Sequence, residues 1–139
     1  MKSKTKSDGL PEPLPKAGQT SWQERRKAFA KGDPLRVVFV TAGASEAEKI
    51  SRTLLEERLI ACANLLPGVA SLYWWEGKIE SSAETLIVMK TPVSKINALM
   101  RRVRELHTYK IPEVLALGIM EANPAYAAWV AKETGSELK

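Results

Sequence analysis

Cysteine and histidine are almost absent from this sequence. Among its 139 residues, Cys62 is the single cysteine and His107 the single histidine. One cysteine cannot form a disulfide within the chain, so a disulfide-stapled scaffold is excluded and a reducing compartment is favoured. The chain also lacks CxxC, HxH and HExxH spacings, which are typical of dedicated metal sites. A metal site here would therefore need carboxylate ligands or a second subunit.

Long uncharged runs and a secretory leader are missing as well. The first 30 residues have no apolar core of the kind found in signal peptides. Leu59–Trp75 carries no formal charge, but it is shorter than the ~20 residues of a spanning helix and contains Pro67-Gly68. A bent, buried strand is the favoured interpretation. We therefore expect a cytoplasmic protein that does not contact membranes.

The net positive charge lies mainly outside the predicted domain. The net charge is +5, and residues 1–34 hold eight basic and four acidic side chains, which accounts for +4 of it. Nucleic-acid-binding domains carry such charge on the folded face. The candidate central strands, RVVFVT and TLIVMKT, contain one aromatic residue, Phe39, where an RNA-recognition fold displays several. A nucleic-acid partner is not expected.

The sequence divides into an N-terminal extension, residues 1–34, and one domain, residues 35–139. Residues 1–20 are polar, proline-rich and without periodicity, so this part is predicted to be largely flexible. Residues 21–31 predict a short helix that places three large side chains on one face: Trp22, Arg26 and Phe29. Two roles for this helix stay open, an extension docked by its aromatics and an arm that binds a partner protein.

From residue 35 the hydrophobic pattern predicts alternating strands and helices. The elements are a strand Arg36–Thr41, a helix from an N-cap at Ser45 to Arg58, strands Ile60–Trp75 and Lys78–Thr91 joined at Glu76-Gly77, a helix from Pro92 to Leu106, a strand Glu113–Met120 and a helix from Asn123 to Lys132. This α+β order, βαβ–βαβ–α, predicts a ferredoxin-like split βαβ sandwich with an extended β-hairpin.

The predicted hairpin is too long for a single subunit. Sixteen residues of strand span about 50 Å, whereas a domain of ~100 residues is about 35 Å across. The hairpin must bend at Pro67-Gly68 or project from the domain. Its far end carries four large apolar side chains, Leu72, Tyr73, Trp74 and Trp75. An exposed apolar strand edge favours pairing with another subunit, so we predict an oligomer.

Few residues suggest chemistry by themselves. Cys62 begins one long strand and His107 ends a helix, at opposite ends of the predicted sheet, so a nucleophilic dyad is not expected within one chain. His107 near Glu113 is a candidate metal ligand, although a histidine at a helix C-terminus also interacts favourably with the helix dipole. The turn from Thr41 to Ser45 leads into a helix N-terminus that could hold an anion, but tight-turn geometry explains it equally well.

Several motifs together resemble one known family. ACANLLPGVASLYWWEGKIE, ETLIVMKT, LHTYKIPEVLAL and YAAW occur in this order, and they resemble the CutA divalent-cation tolerance proteins. The resemblance covers about residues 36–133. It implies a ferredoxin-like subunit in a tight trimer, related in architecture to PII signalling proteins. It also implies a role in tolerance to copper and other divalent cations in the bacterial cytoplasm, with no established catalytic activity, so an enzyme is not expected.

The resemblance also implies candidate site residues. Some members carry a cysteine where this chain has Val40, and a His-His pair where it has Leu106-His107, so one of the proposed copper ligands remains. We predict that any site for Cu²⁺ or another divalent cation is weak and lies between subunits. The candidate metal ligands are His107, Glu113 and Cys62; the candidate cleft residues are Tyr109, Lys90, Glu76 and Lys78; the candidate interface residues are Tyr73, Trp74 and Trp75. The alternative is a PII-like signalling or interaction module that binds a small anion or a partner protein.

Overall fold

The computed structural model describes residues 34–135, and the predicted tail at 1–20 and helix at 21–31 lie outside that range. The elements are β1 (Leu35–Ala42), α1 (Ala44–Glu56), β2 (Cys62–Trp75), β3 (Lys78–Pro92), a short 3₁₀ turn (Val93–Lys95), α2 (Ile96–Leu106), β4 (Leu115–Gly118) and α3 (Pro124–Glu133). The four strands form one sheet in the order β2-β3-β1-β4, and every neighbouring pair is antiparallel. The α+β class and the order of the elements are confirmed.

One face of the sheet is sealed by helices. Side chains of residues directly opposite each other in an antiparallel sheet lie on the same face. Val38 and Val40 of β1 therefore share a face with Met89 and Ile87 of β3, and all four are fully buried. The helices add further buried side chains to this core: Ala47, Ile50 and Leu54 of α1, and Leu99 and Val103 of α2. Burial of this set is the main stabilising contribution to the subunit.

The opposite face is only partly covered. α3 packs over one end of it, where Val130 joins Leu35 and Ala61 in a second apolar cluster. Beyond α3, the face consists largely of apolar side chains that are half-buried or exposed: Val37, Phe39, Leu66, Leu86, Val88, Leu115 and Leu117. We call this set the open face. Such a contiguous apolar surface on a single chain is typical of a subunit interface.

The β2–β3 hairpin both bends and projects. β1 pairs with β3 only as far as Thr85, so Val69–Trp75 and Lys78–Glu84 form a two-stranded ribbon outside the sheet. The register shifts between Leu66 and Val69, which places a β-bulge at Pro67-Gly68, and Gly68 takes a positive φ of 72°. In the ribbon, Leu72 is 73% exposed and Trp74 72% exposed. Two-stranded ribbons are marginally stable alone in water, and within residues 34–135 this ribbon has no third strand beside it.

The hairpin turn is formed as predicted at Glu76-Gly77. Both residues have positive φ, 50° for Glu76 and 80° for Gly77. Positive φ at both central residues is the type I′ geometry, which follows the right-handed twist of the flanking strands. Glycine adopts this conformation without steric cost, whereas Glu76 does not.

The predicted start of α1 is wrong. Ser45 does not cap the helix; Gly43 is the N-cap in an extended conformation, without a side-chain cap. The helix begins at Ala44 because the Gly43 carbonyl already accepts the hydrogen bond from the Ala47 N–H. Glu48, three residues after Ser45, forms an i,i+4 ion pair with Arg52.

The end of α1 also differs from the prediction. α1 ends at Glu56, and Arg58 lies beyond it with a left-handed φ of 60°. The Arg58 N–H donates to the Leu55 carbonyl and the Leu59 N–H to the Leu54 carbonyl, which is the hydrogen-bond pattern of a Schellman motif. Leu55, in the last turn of α1, is 37% exposed.

Two other element boundaries differ from the prediction, and one is confirmed. Pro92 ends β3 rather than opening α2, and β4 is shorter than the predicted strand 113–120 because it pairs only along four residues of β1. Asn123 caps α3 as predicted, since its Oδ1 accepts from the Ala125 N–H. No helix in the range 34–135 has both the length and the apolarity to cross a membrane.

Candidate functional site

A cleft of about 710 Å³ lies between the hairpin ribbon and the loop that follows α2. The ribbon contributes apolar and aromatic side chains, and the loop contributes polar ones. The cleft also contains one basic side chain, Lys110, and its lining residues are Thr41, Ala70, Ser71, Leu72, Tyr73, Trp74, Trp75, Glu84, Tyr109, Lys110, Ile111 and Glu113. The cleft therefore combines an aromatic wall with acidic groups at its base.

Glu84 and Tyr109 form the central contact of the cleft. The Tyr109 hydroxyl donates to Glu84 Oε2 across 2.8 Å, and Glu84 is only 8% exposed. Burial, and then the hydrogen bond to Glu84, raise the pKa of Tyr109 to about 12. The phenol consequently stays protonated at neutral pH and remains a donor to the carboxylate.

Glu113 brings a second carboxyl group to the same cleft. Its pKa is raised by burial and by the negative charge of Glu84. Burial is the larger cause, since it removes water from the carboxylate, and repulsion by Glu84 adds to it. A cation placed between Glu84 and Glu113 would relieve this repulsion. The sequence reasoning identified Glu113 but missed Glu84, whose only signal was an acidic residue at an inward position of a strand.

His107 lies beside the cleft, and its side chain is fully buried. Its Nε2 is 2.8 Å from the Thr41 carbonyl oxygen, which can only accept, so Nε2 carries the proton. Its Nδ1 accepts from the Tyr109 N–H across 3.1 Å. Both ring nitrogens are therefore engaged, and a metal could bind the imidazole only after one of these hydrogen bonds opens.

Glu46 holds the same loop from the other side. Its carboxylate accepts hydrogen bonds from the Thr108 N–H and the Thr108 hydroxyl, and lies 3.5 Å from His107 Nδ1. Glu46 also belongs to the first turn of α1. A carboxylate there supplies the negative charge that this helix terminus favours, and it would repel a bound anion. The turn from Thr41 to Ser45 is thus better explained by loop anchoring than by anion binding.

The structure does not bring all predicted site residues together. Cys62 Sγ lies 3.3 Å from the Tyr126 hydroxyl, beneath α3 rather than beside His107. Lys90 donates to Asn64 Oδ1 on the open face, and Glu76 and Lys78 lie at the tip of the ribbon. Within residues 34–135, no three His, Cys, Asp or Glu side chains form a group that could hold a metal ion.

Comparison with known proteins identifies the family. A family model described as CutA1 divalent ion tolerance protein matches residues 36–133, which form most of the chain. The chain belongs to this family. It is 41% identical over 100 residues to the divalent-cation tolerance protein CutA of Thermus thermophilus, covering 71% of this chain and 97% of that relative.

Plant relatives and solved structures agree with the assignment to the CutA family. Protein CutA 1, chloroplastic, of rice is 42% identical over 116 residues, which is 83% of this chain and 66% of the relative. The crystal structure of CutA1 from rice superposes with a TM-score of 0.72 at 38% identity, covering 74% of this chain and 95% of that one. The structure from Thermus thermophilus has a TM-score of 0.71 at 39% identity, covering 73% and 99%. The family is described by divalent-cation tolerance and not by an enzymatic reaction.

Proposed function

We propose that this chain acts in tolerance to divalent cations, with Cu²⁺ as the principal ion, as a ferredoxin-like subunit of a homotrimer in the cytoplasm. The observation that supports it best is the pair of carboxyl groups, Glu84 and Glu113, that face one cleft in a member of the CutA family. No catalytic reaction is part of the proposal. The site is a place where a cation binds and compensates charge.

The trimer is supported by two surfaces that a single chain leaves uncovered. The open face presents apolar side chains of all four strands, and the ribbon presents Tyr73, Trp74 and Trp75. The order β2-β3-β1-β4 supports the ferredoxin-like assignment. In such a trimer the ribbon tip, with Glu76 and Lys78, would meet a neighbouring subunit, and Lys90 on the open face would line the contact.

The proposed cation site consists of Glu113 and Glu84; His107 lies beside the cleft and would add a ligand only after one of its two hydrogen bonds opens. Imidazole suits Cu²⁺, and Cu²⁺ heads the affinity order of the divalent first-row ions. Binding through His107 requires its Nδ1 to release the Tyr109 N–H, so this ligand contributes less than Glu113. Cys62 is left out of the site because its thiol contacts Tyr126 under α3. We expect weak binding, since one chain supplies so few converging ligands.

The variant Glu113→Gln tests whether the Glu113 carboxylate binds a cation or only stabilises the fold. Because the folded-state pKa of Glu113 is raised, its ionisation opposes folding, and this cost is absent at low pH and grows as the pH rises above about 4.5. Without added metal at pH 7, the variant should therefore melt at a higher temperature than the wild type. With Cu²⁺, the wild type should gain stability and the variant should gain much less.

Calorimetric titration of Cu²⁺ at pH 7.5 measures the affinities directly. Glu113→Gln should weaken binding at least tenfold, and His107→Gln, whose amide can still donate to the Thr41 carbonyl, should weaken it less. Glu56→Gln is the matched control, because Glu56 is exposed and lies outside the cleft. Equal affinity in wild type and Glu113→Gln would eliminate the proposed site and favour the signalling-module alternative.

A further inference from the structure

A second groove, of about 340 Å³, lies between the C-terminal end of α1 and α3. Ile60 and Ala61 line its base, and Leu55 and Trp129 form its apolar walls. Its rim carries Glu56, Arg58 and Glu133. None of these residues takes part in the cation cleft or the open face, so the proposed function leaves this groove unexplained.

The groove opens where the chain enters the described structure. Leu35, the first residue of β1, belongs to the same apolar cluster as Ala61 and Trp129. Thirty-three residues precede the described range. Phe29 is six positions before Leu35 in the sequence, so extended chain allows it to reach about 20 Å from Leu35. Residues 21–31 can therefore reach the groove from their own chain.

The chemistry of residues 21–31 is complementary to the groove. This segment, SWQERRKAFAK, carries two large aromatics and four basic side chains against one acidic residue. At the rim, Glu133 is already paired with Arg58 across 3.0 Å, whereas Glu56 forms no ion pair within residues 34–135. Large aromatics bury ~150–250 Å² each, and basic side chains at the rim would compensate the carboxylate of Glu56.

We propose that residues 21–31 dock in this groove of the same chain, with Phe29 against Leu55 and Trp129 and with the basic residues beside Glu56. Docking extends the second apolar cluster and fastens the end of α1 to α3. The extension is thus an internal brace of the subunit. It is independent of the cation site, and its failure would leave the proposed function intact.

Disulfide trapping in the full chain locates the segment. In a Cys62→Ser background, Ala30→Cys is combined with Lys132→Cys beside the groove, or with one of two controls, Lys49→Cys on α1 or Glu80→Cys on the ribbon. All four introduced positions avoid the proposed contacts. The Lys132 pair should close within one chain at least tenfold faster than either control. Similar rates for all pairs, faster closure with Glu80, or a cross-linked dimer would each overturn the proposal.

A double-mutant cycle gives a second readout that needs no cross-link. Phe29→Ala and Leu55→Ala should each lower the melting temperature of the full chain, and the double variant should melt close to the lower single variant. Such coupling is expected only for residues in contact. Phe29→Ala combined with Leu72→Ala on the ribbon is the control and should be additive. Additive effects for Phe29 and Leu55 as well would contradict docking in the groove.

Discussion

The two faces of the sheet are similar in composition and opposite in environment. On the helical side, Val38, Val40 and Ile87 are fully buried under α1 and α2. On the open face, Phe39 and Val88 are only partly covered, and Leu115 is 54% exposed. Hydropathy alone does not distinguish the two sets, because both are alternating apolar positions of the same strands. The difference teaches that alternation in the strands marks two apolar faces, while the helices decide which of them becomes the core of the chain.

The largest effect is expected on the helical side. Leu54 is fully buried, so Leu54→Ala leaves a cavity in the core. The variant should lower the free energy of unfolding by about 2–5 kcal/mol. Urea unfolding measures this loss. The matched change on the other face, Leu115→Ala, should cost less than half as much. Equal losses would show that the two faces are not functionally distinct.

The second effect concerns assembly. Light scattering of the wild type should give three times the 15.4 kDa chain mass at micromolar concentration. Trp74→Ala and Trp75→Ala should each shift the protein towards monomer or aggregate, because large aromatics dominate interfaces. Leu55→Ala, which removes an apolar side chain on α1 away from the ribbon and the open face, should leave the mass unchanged. Both tryptophan variants remaining fully trimeric at low concentration would contradict the assignment.

A smaller effect is expected where the ribbon meets the domain. Tyr109→Phe removes the hydrogen-bond donor to the buried Glu84 carboxylate and should cost about 1–3 kcal/mol at pH 7. Since the folded-state pKa of Tyr109 is raised to about 12, the wild type should also lose stability between pH 10 and 12, as the phenol ionises. Tyr109→Phe should lack that contribution. Parallel stability curves over this pH range would contradict the proposed contact.

The smallest effect is expected at the end of α1. Arg58 occupies a left-handed position that glycine adopts freely, but its guanidinium donates to Glu133. Arg58→Ala loses the ion pair and keeps the strained backbone, whereas Arg58→Gly loses the ion pair and relieves the strain. The glycine variant should therefore be about 1 kcal/mol more stable than the alanine variant. Thermal unfolding of both compares them directly.

Local patterns in the sequence predicted more of the fold than of the site. The hairpin turn at Glu76-Gly77 and the cap at Asn123 depend on neighbouring residues, so short-range reasoning found them. The start of α1 was misplaced because Ser45 and Glu48 match a capping motif that Gly43 makes unnecessary. The role of Glu84 was missed because its contact with Tyr109 joins residues 25 positions apart. Hydrophobic periodicity describes neighbouring residues and does not predict such a contact.

The bulge at Pro67-Gly68 determines which side chains of β2 lie on each face of the ribbon. On the sheet side of the bulge, even-numbered residues of β2 lie opposite even-numbered residues of β3, as Leu66 does with Leu86. On the ribbon side, odd-numbered residues of β2 do so, as Tyr73 does with Glu80. The bulge takes up one extra residue of β2: if pairing continued unbroken from Leu66, Gly68 would lie opposite Glu84, and Leu72 and Trp74 would take the side that Tyr73 and Trp75 occupy. Deletion of one residue here would thus close the bulge and leave all seven residues of Val69–Trp75 opposite their present partners.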